Sequence, residues 1–274
     1  MTIPRHEHLA LLAAATGKPK EFWIAHPATP LSPAENALLQ RWRQARSNGV
    51  PLAYLLGTRE FYGRCFWVNP HTLIPRADTE LLIDTAKTQV SQMALKEPVR
   101  LADLGTGSGC IAASLALEIP NARVTASDVS FEALTCARNN AAWLGVSNQV
   151  SFVQGSWWAA LGKNQAKFHA ILSNPPYIAA ADTHLGQGDL RFEPAGALTP
   201  LAGNMNSTGL EAIEEIVGQA RQYLEPGGFL LIEHGFDQQA AVLALFRAAG
   251  LSRVQGLQDL AGNPRAVLGF HRES

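Results

Sequence analysis

Residues 99–118 read VRLADLGTGSGCIAASLALE. An apolar run from Val99 to Leu104 meets three alternating glycines, Gly105, Gly107 and Gly109, and then an Ala/Leu/Ile-rich stretch. The pattern predicts a strand over 99–104, a tight turn, and a helix over 109–118. Glycines at a helix start let a ligand approach backbone amides closely. Two explanations stay open: a cradle for a nucleotide-like cofactor, or a plain tight turn. The spacing is GxGxG. A dinucleotide fingerprint, GxGxxG, would need its third glycine at 110, where Cys110 stands.

Downstream the same alternation repeats. Strands are expected at 122–128, 150–155, 168–173, 228–234 and 265–270, with helices over 131–144 and 208–224. Such alternation means an α/β fold with a mostly parallel sheet covered on both faces. The final PRAVLGF has no helix after it and suits an added antiparallel strand. Upstream, residues 1–58 read as a small helical domain. One helix stops at Gly17. Another opens with a capping box, Ser32 as N-cap, Pro33 at N1 and Glu35 at N3, and presents Ala34, Leu38, Trp42 and Ala45 on one face before Asn48-Gly49. PLAYLLG is a further short helix. Residues 59–84 form a connector containing a hairpin around Gly63, and 85–274 form the sheet domain.

Of the 274 residues, 47% are hydrophobic, enough for a sizeable core, and the net charge is -1. Nothing global points to nucleic acid or an acidic membrane surface. The charge is uneven: residues 1–58 hold six Lys and Arg against three Glu, leaving -4 for the remainder. That is either an ordinary solvated surface or a docking face. Cys65, Cys110 and Cys136 have no paired spacing, which fits a reducing compartment better than a disulfide framework or a zinc site. The N-terminus is too broken for a signal peptide, and no run approaches a membrane span. A cytoplasmic protein is expected.

In an open α/β sheet a ligand lies beyond the carboxyl ends of the strands. Asp128 ends the second strand about 20 residues past the glycines, where a carboxylate accepts bonds from ribose hydroxyls. Ser130 is the better N-cap for the next helix. The third strand ends VQGSWW, where Trp157 and Trp158 suit either adenine stacking or the core. The fourth ends SNPPY. Pro175 and Pro176 fix the backbone and leave carbonyls unpaired. Asn174 adds an acceptor and Tyr177 a flat face. Together they form a socket for a planar –NH2 group. An amide nitrogen is a poor nucleophile because its lone pair is delocalised. Holding both N–H groups on fixed acceptors favours a pyramidal nitrogen and stabilises positive charge during attack on a methyl sulfonium, so no His or Lys is required.

At these residues the chain resembles the class I S-adenosylmethionine-dependent methyltransferases, and within them the HemK/PrmC family of peptide-chain release factor glutamine N5-methyltransferases. The resemblance spans PLAYLLGTREFYG (51–63), VNPHTLIPRADTELL (68–82), DLGTGSGCIAASLA (103–116), SNPPYI (173–178), DLRFEPAGAL (189–198), GGFLLIEHG (227–235) and AGNPRAVLGF (261–270). It implies a Rossmann-like methyltransferase sheet, S-adenosyl-L-methionine as cofactor, and methyl transfer to the glutamine of the Gly-Gly-Gln tripeptide of release factors. It further implies that Asp103, Gly105, Thr106, Gly107 and Gly109 meet the methionine part of the cofactor and that Asp128 meets the ribose. Ser156 and Trp157 would face adenine. The family usually has an acidic residue at the position of Ser156. Asn174, Pro175 and Tyr177, with Pro176, would hold the glutamine amide. Arg76 and Glu193 would border the substrate entrance, with Arg191 nearby. Helices 1–58 would recognise the folded partner. A monomer without bound nucleic acid or metal is expected.

Asp182, His184 and Asp189 match no metal signature. His234 reads as structural. Cys110, at a helix start, is open to a depressed pKa, although a small packed residue is expected there. Competing functions are methylation of a ribosomal-protein glutamine, methylation of a nucleic-acid adenine amine, which would need base flipping and a basic groove, and a cofactor-sensing protein that binds release factor without turnover.

Overall fold

The computed structural model describes residues 3–93, 95, 98–162, 166–200, 204 and 206–272. The expected outer domain bounds at 1 and 274 lie outside them.

Four helices come first: α1 (Arg5–Thr16), α2 (Lys20–Ala25), α3 (Pro33–Ser47) and α4 (Leu52–Leu56). Gly17 ends α1 in the left-handed conformation, φ 69°. The capping box of α3 is formed in both directions: Ser32 Oγ accepts from the Glu35 amide, and the Glu35 carboxylate accepts from the Ser32 amide. Leu11, Trp23, Leu39 and Ala53 are buried. Ala34, expected on the covered face of α3, is exposed and Leu39 takes its place. The 3.6-residue period centres the stripe between Leu38 and Leu39, and Ala34 falls on the open first turn.

A hairpin follows, β1 (Thr58–Phe61) with β2 (Arg64–Trp67). Both turn residues, Tyr62 (φ 52°) and Gly63 (φ 70°), are left-handed, as a two-residue hairpin turn demands. The hairpin is tied to α5 (Glu80–Gln92): the Tyr62 amide donates to Glu80 at 2.8 Å and the Tyr62 hydroxyl to Asp84 at 2.6 Å. Residue 84, expected to close the connector, therefore lies inside a helix. A single 3-10 turn, Ala77–Thr79, leads into it.

Then come β3 (Val99–Leu104), α6 (Cys110–Glu118), β4 (Ala122–Asp128), α7 (Phe131–Trp143), β5 (Val150–Gln154), α8 (Trp157–Leu161) and β6 (Phe168–Ser173). The chain continues through α9 (Ala195–Leu198), α10 (Glu211–Tyr223), β7 (Leu224–Glu233), α11 (Gln239–Ala248), β8 (Ser252–Gln258) and β9 (Pro264–Phe270). The seven strands stand in the order β5-β4-β3-β6-β7-β9-β8. The pairings among β5, β4, β3, β6 and β7 are parallel, and β9 runs antiparallel to both β7 and β8. The antiparallel last strand is as expected. The β8 edge strand is not: SRVQGLQ is largely solvated and carries Arg253, Gln255, Gly256 and Gln258, a composition that reads as loop and also blunts a sheet edge.

Period-two alternation sorts the strands onto two cores. Leu101, Leu172 and Leu231 pack with Ile83 of α5 and Ile111 and Leu115 of α6. Leu104, Ile171 and Leu230 pack with Ile213 and Ile216 of α10 and Phe246 of α11. Each such side chain contributes about 1.5–3 kcal/mol by leaving water. Burial on both faces explains why β6 is buried along its whole length and reads as one apolar run. Among the described residues no helix is long and apolar enough to cross a membrane.

Candidate active site

The chain steps outward from β3 to β4 to β5, then returns to the other flank of β3 as β6. The strand order reverses there, and at such a point the loops after the two central strands part to leave a crevice. Leu104 and Ser173 are register partners, and the Ser173 hydroxyl donates to the Leu104 carbonyl at 2.7 Å. The glycine loop and the NPPY turn therefore leave the sheet side by side. Between them lies a cavity of about 470 Å³.

The glycine loop is held from below. Asp103 is fully buried. Its Oδ2 accepts from the Thr106 hydroxyl at 2.6 Å and the Ala112 amide at 3.1 Å, while Oδ1 is buried without a partner. Burial pushes its pKa up to about 7. Asn140, also fully buried, donates to the Ser108 carbonyl at 2.8 Å and accepts from the Trp67 amide at 2.8 Å, which joins the loop to the hairpin. Gly109 has φ 79°, and a Cβ there would stand 2.9 Å from the Ala137 Cβ, so only glycine fits against α7.

Gly105, Thr106, Gly107, Asp128, Ser156, Trp157, Asn174, Pro176 and Arg76 all line the cavity. Asp128 accepts the Gly107 amide on Oδ2 and the Ser130 amide on Oδ1, each at 2.9 Å. Burial raises its pKa, and these backbone amides oppose the rise. Ser130 caps α7, accepting from the Ala133 amide at 3.1 Å. The two tryptophans divide. Trp157 faces the cavity beside Gly105, whereas Trp158 is core, donating to the Glu215 carbonyl at 3.1 Å and stacking on Tyr223. Ser156 is exposed on the cavity wall.

Asn174 donates from Nδ2 to the Thr79 hydroxyl at 3.1 Å, which leaves Oδ1 as its acceptor. Pro175 is buried behind it, and among the described residues no hydrogen bond reaches its carbonyl. Tyr177 packs into the second core with its hydroxyl on Glu233 Oε1, 3.1 Å away.

Asp103, Gly109, Pro175, Tyr177 and Glu193 lie outside the cavity lining. The Glu193 side chain is fully buried, accepting from the Ile74 amide at 3.0 Å and pairing with Arg76. It fixes the 74–76 segment rather than facing the entrance. Arg191 donates to the Asn48 carbonyl. His234 is fully buried, with Nδ1 2.7 Å from the Gly235 carbonyl oxygen. Cys110 is packed, and burial pushes its thiol up to about 12, opposite to the depression that a helix start permits. Sequence reasoning passed over the wall formed by His71, Thr72, Pro75 and Thr79, and that formed by Pro194–Pro200 and Glu211. Residues 71–79 lie in the quoted motif VNPHTLIPRADTELL, the available signal.

Residues 77–196 match the family model of the methyltransferase small domain, and residues 2–57 that of the PrmC N-terminal domain. The release factor glutamine methyltransferase of Bordetella pertussis is 45% identical over 98% of this chain and 95% of its own length. The chain belongs to the release factor glutamine methyltransferase family. Members from Salmonella typhimurium and Escherichia coli are 43% and 40% identical, each over 97% of this chain and 92% of their own. Among solved structures, the N-terminal domain of human METTL16 superposes with a TM-score of 0.57 at 17% identity, over 81% of this chain and 80% of that one. A methyltransferase from Pyrococcus furiosus gives 0.53 at 20% identity, over 77% and 91%. These two likenesses concern the fold alone. A family-wide methyltransferase fold implies use of S-adenosylmethionine in general terms.

Proposed function

We propose that the protein transfers a methyl group from S-adenosyl-L-methionine to the side-chain amide nitrogen of the glutamine in the Gly-Gly-Gln motif of peptide chain release factors. The observation that carries this reading is the orientation of Asn174. Its Nδ2 is engaged by Thr79, so its Oδ1 is the free acceptor at the cavity wall.

The cavity chemistry fits the cofactor. Asp128 keeps lone pairs for ribose hydroxyls after taking its two backbone amides, Trp157 offers a flat wall, and the open glycines admit a chain close to the backbone. The unpartnered Oδ1 of Asp103 puts negative character beneath the loop, suited to an ammonium group. S-adenosylmethionine, when bound, supplies an electrophilic methyl on a sulfonium.

The remaining work falls to this chain. Asn174 Oδ1 and the Pro175 carbonyl accept the two N–H groups of the substrate amide. That localises the nitrogen lone pair and stabilises the positive charge that forms on nitrogen. Tyr177, clamped by Glu233, stiffens the turn. The methylated nitrogen is strongly acidic, so its proton leaves to solvent without a dedicated base. Helices 1–58, as a separate recognition unit, dock the release factor and place its glutamine in the socket.

The test uses labelled S-adenosylmethionine with intact release factor, followed by mass spectrometry. A single methyl on the Gly-Gly-Gln glutamine supports the proposal. Label on another residue, or in nucleic acid from a cell extract, overturns it.

A further inference from the structure

The segment ADTE, residues 77–80, holds the residue that engages Asn174 Nδ2. Thr79 is buried, yet it lines the cavity. It stands where the 3-10 turn passes into α5, but its side chain makes no cap bond to that helix. Threonine at such a position ordinarily caps. Here the Oγ1 accepts from Asn174 Nδ2 instead, at 3.1 Å. Near it is the fully buried Glu233 carboxyl, whose Oε1 accepts from the Tyr177 hydroxyl at 3.1 Å and whose Oε2 is buried without a hydrogen-bond partner.

The donor inventory fixes the direction of this chain. The Asn174 NH2 group can only donate, so Thr79 accepts there with a lone pair. The Glu233 carboxyl stands near that hydroxyl. Tyr177 donates to the same carboxylate. Two buried groups thus hold the NPPY turn, Glu233 at Tyr177 and Thr79 at Asn174.

We propose that Thr79 is a positioning residue for methyl transfer: its hydroxyl holds the Asn174 carboxamide so that Oδ1, not NH2, meets the substrate amide. This rests on the amide-socket reading of NPPY. Without the hydroxyl, nothing distinguishes the two ends of the carboxamide. A half-turn about its terminal bond presents NH2 to a substrate NH2, donor against donor, and the acceptor is lost.

Thr79→Val keeps the shape and removes the hydroxyl. Single-turnover methylation of intact release factor at saturating S-adenosylmethionine is expected to slow about 10–100-fold, the range for misplacing one preorganised contact. Cofactor affinity by calorimetry should stay within about 2-fold, since Thr79 acts on Asn174. Thr79→Ser keeps the hydroxyl and should recover most of the rate. The decisive measurement is a double variant. On an Asn174→Ala background, Thr79→Val should cost nothing further, because the group it positions is gone. If Asn174→Ala is severely impaired but Thr79→Val turns over at the wild-type rate, the positioning role is overturned and the amide socket stands. An additive loss in the double variant, or Thr79→Ser failing as Thr79→Val does, makes Thr79 a packing residue and also overturns it. Near-wild-type turnover by Asn174→Ala removes the socket, and the inference with it.

Discussion

The Gly107 amide donates to Asp128 Oδ2 at 2.9 Å, so the carboxylate that ends β4 is also a strut of the glycine loop after β3. Two parts of the cavity wall share this atom. Asp128→Ala should therefore weaken S-adenosylmethionine binding by about 1.5–3 kcal/mol, the range for losing hydrogen bonds to a charged group. Asp128→Asn keeps one acceptor and should lose less. Calorimetry on both variants checks this. Unchanged affinity in the alanine variant would remove Asp128 from the cradle.

The turn after β5 carries a second prediction. Ser156 is exposed on the cavity wall just before α8 and makes no cap bond. Ser156→Asp should tighten cofactor binding by about 1 kcal/mol, or about 5-fold, because a neutral acceptor for the adenine amine becomes a charged one. A marked loss of affinity would show that adenine does not meet this position.

Much of this architecture was legible because parallel strands buried on both faces spell continuous apolar words that end at the site. Leu104, Asp128 and Ser173 each close a strand as expected. Asp128 and Asn174 were visible for the same reason. Apart from Arg76, the stretch 71–79 was not, because it reaches the cavity through tertiary packing and no periodicity announces that. Thr79 and Asn174 meet across 95 residues of chain, so only the fold reveals their bond. Trp157 and Trp158 were indistinguishable as neighbours, and the backbone at Trp157 (φ 39°) sends them apart. Edge strand β8 was hidden by its polarity.

Burial raises the Glu233 pKa to about 7 from an ordinary 4.5. Between those values the folded protein binds a proton that the unfolded chain has released. This group's contribution to stability is thus fully present below about 4.5 and lost as pH rises through about 7. Glu233→Gln cannot titrate. Comparing the melting temperature of both proteins across pH 4.5–8, wild type should lose more stability with rising pH than the variant. The slope difference is the readout, since the substitution also shifts the absolute value. Parallel slopes would contradict a neutral carboxyl at low pH.

The N-terminal helices yield a prediction about docking. Arg46 is engaged, pairing with Glu7 at 2.7 Å and Asp189 at 2.8 Å, whereas Arg41 and Arg43 are exposed. Arg41→Glu with Arg43→Glu should slow association with intact release factor by about 3–30-fold at low salt, and the difference should shrink as salt is added. Cofactor affinity should not change. Equal rates for both proteins at all salt concentrations would place docking elsewhere.

Asn174→Asp tests the chemistry most directly. The side chains match in shape, so packing should survive. A carboxylate also accepts hydrogen bonds, and on that ground alone activity would persist. Its partner argues otherwise. A Thr79 lone pair accepts from the Asn174 NH2. An ionised Asp at 174 has no proton to give that lone pair, so the contact that orients the side chain is lost. Repulsion between the Asp oxygen and the Thr79 oxygen disfavours the orientation that faces the substrate. The turnover rate should fall about 10–1000-fold with little change in cofactor affinity, a loss of roughly 1.4–4 kcal/mol in transition-state stabilisation. Asn174→Ala should be at least as impaired, because it removes the acceptor outright. Single-turnover kinetics on intact release factor measures both. Wild-type rates in the alanine variant would remove the amide socket.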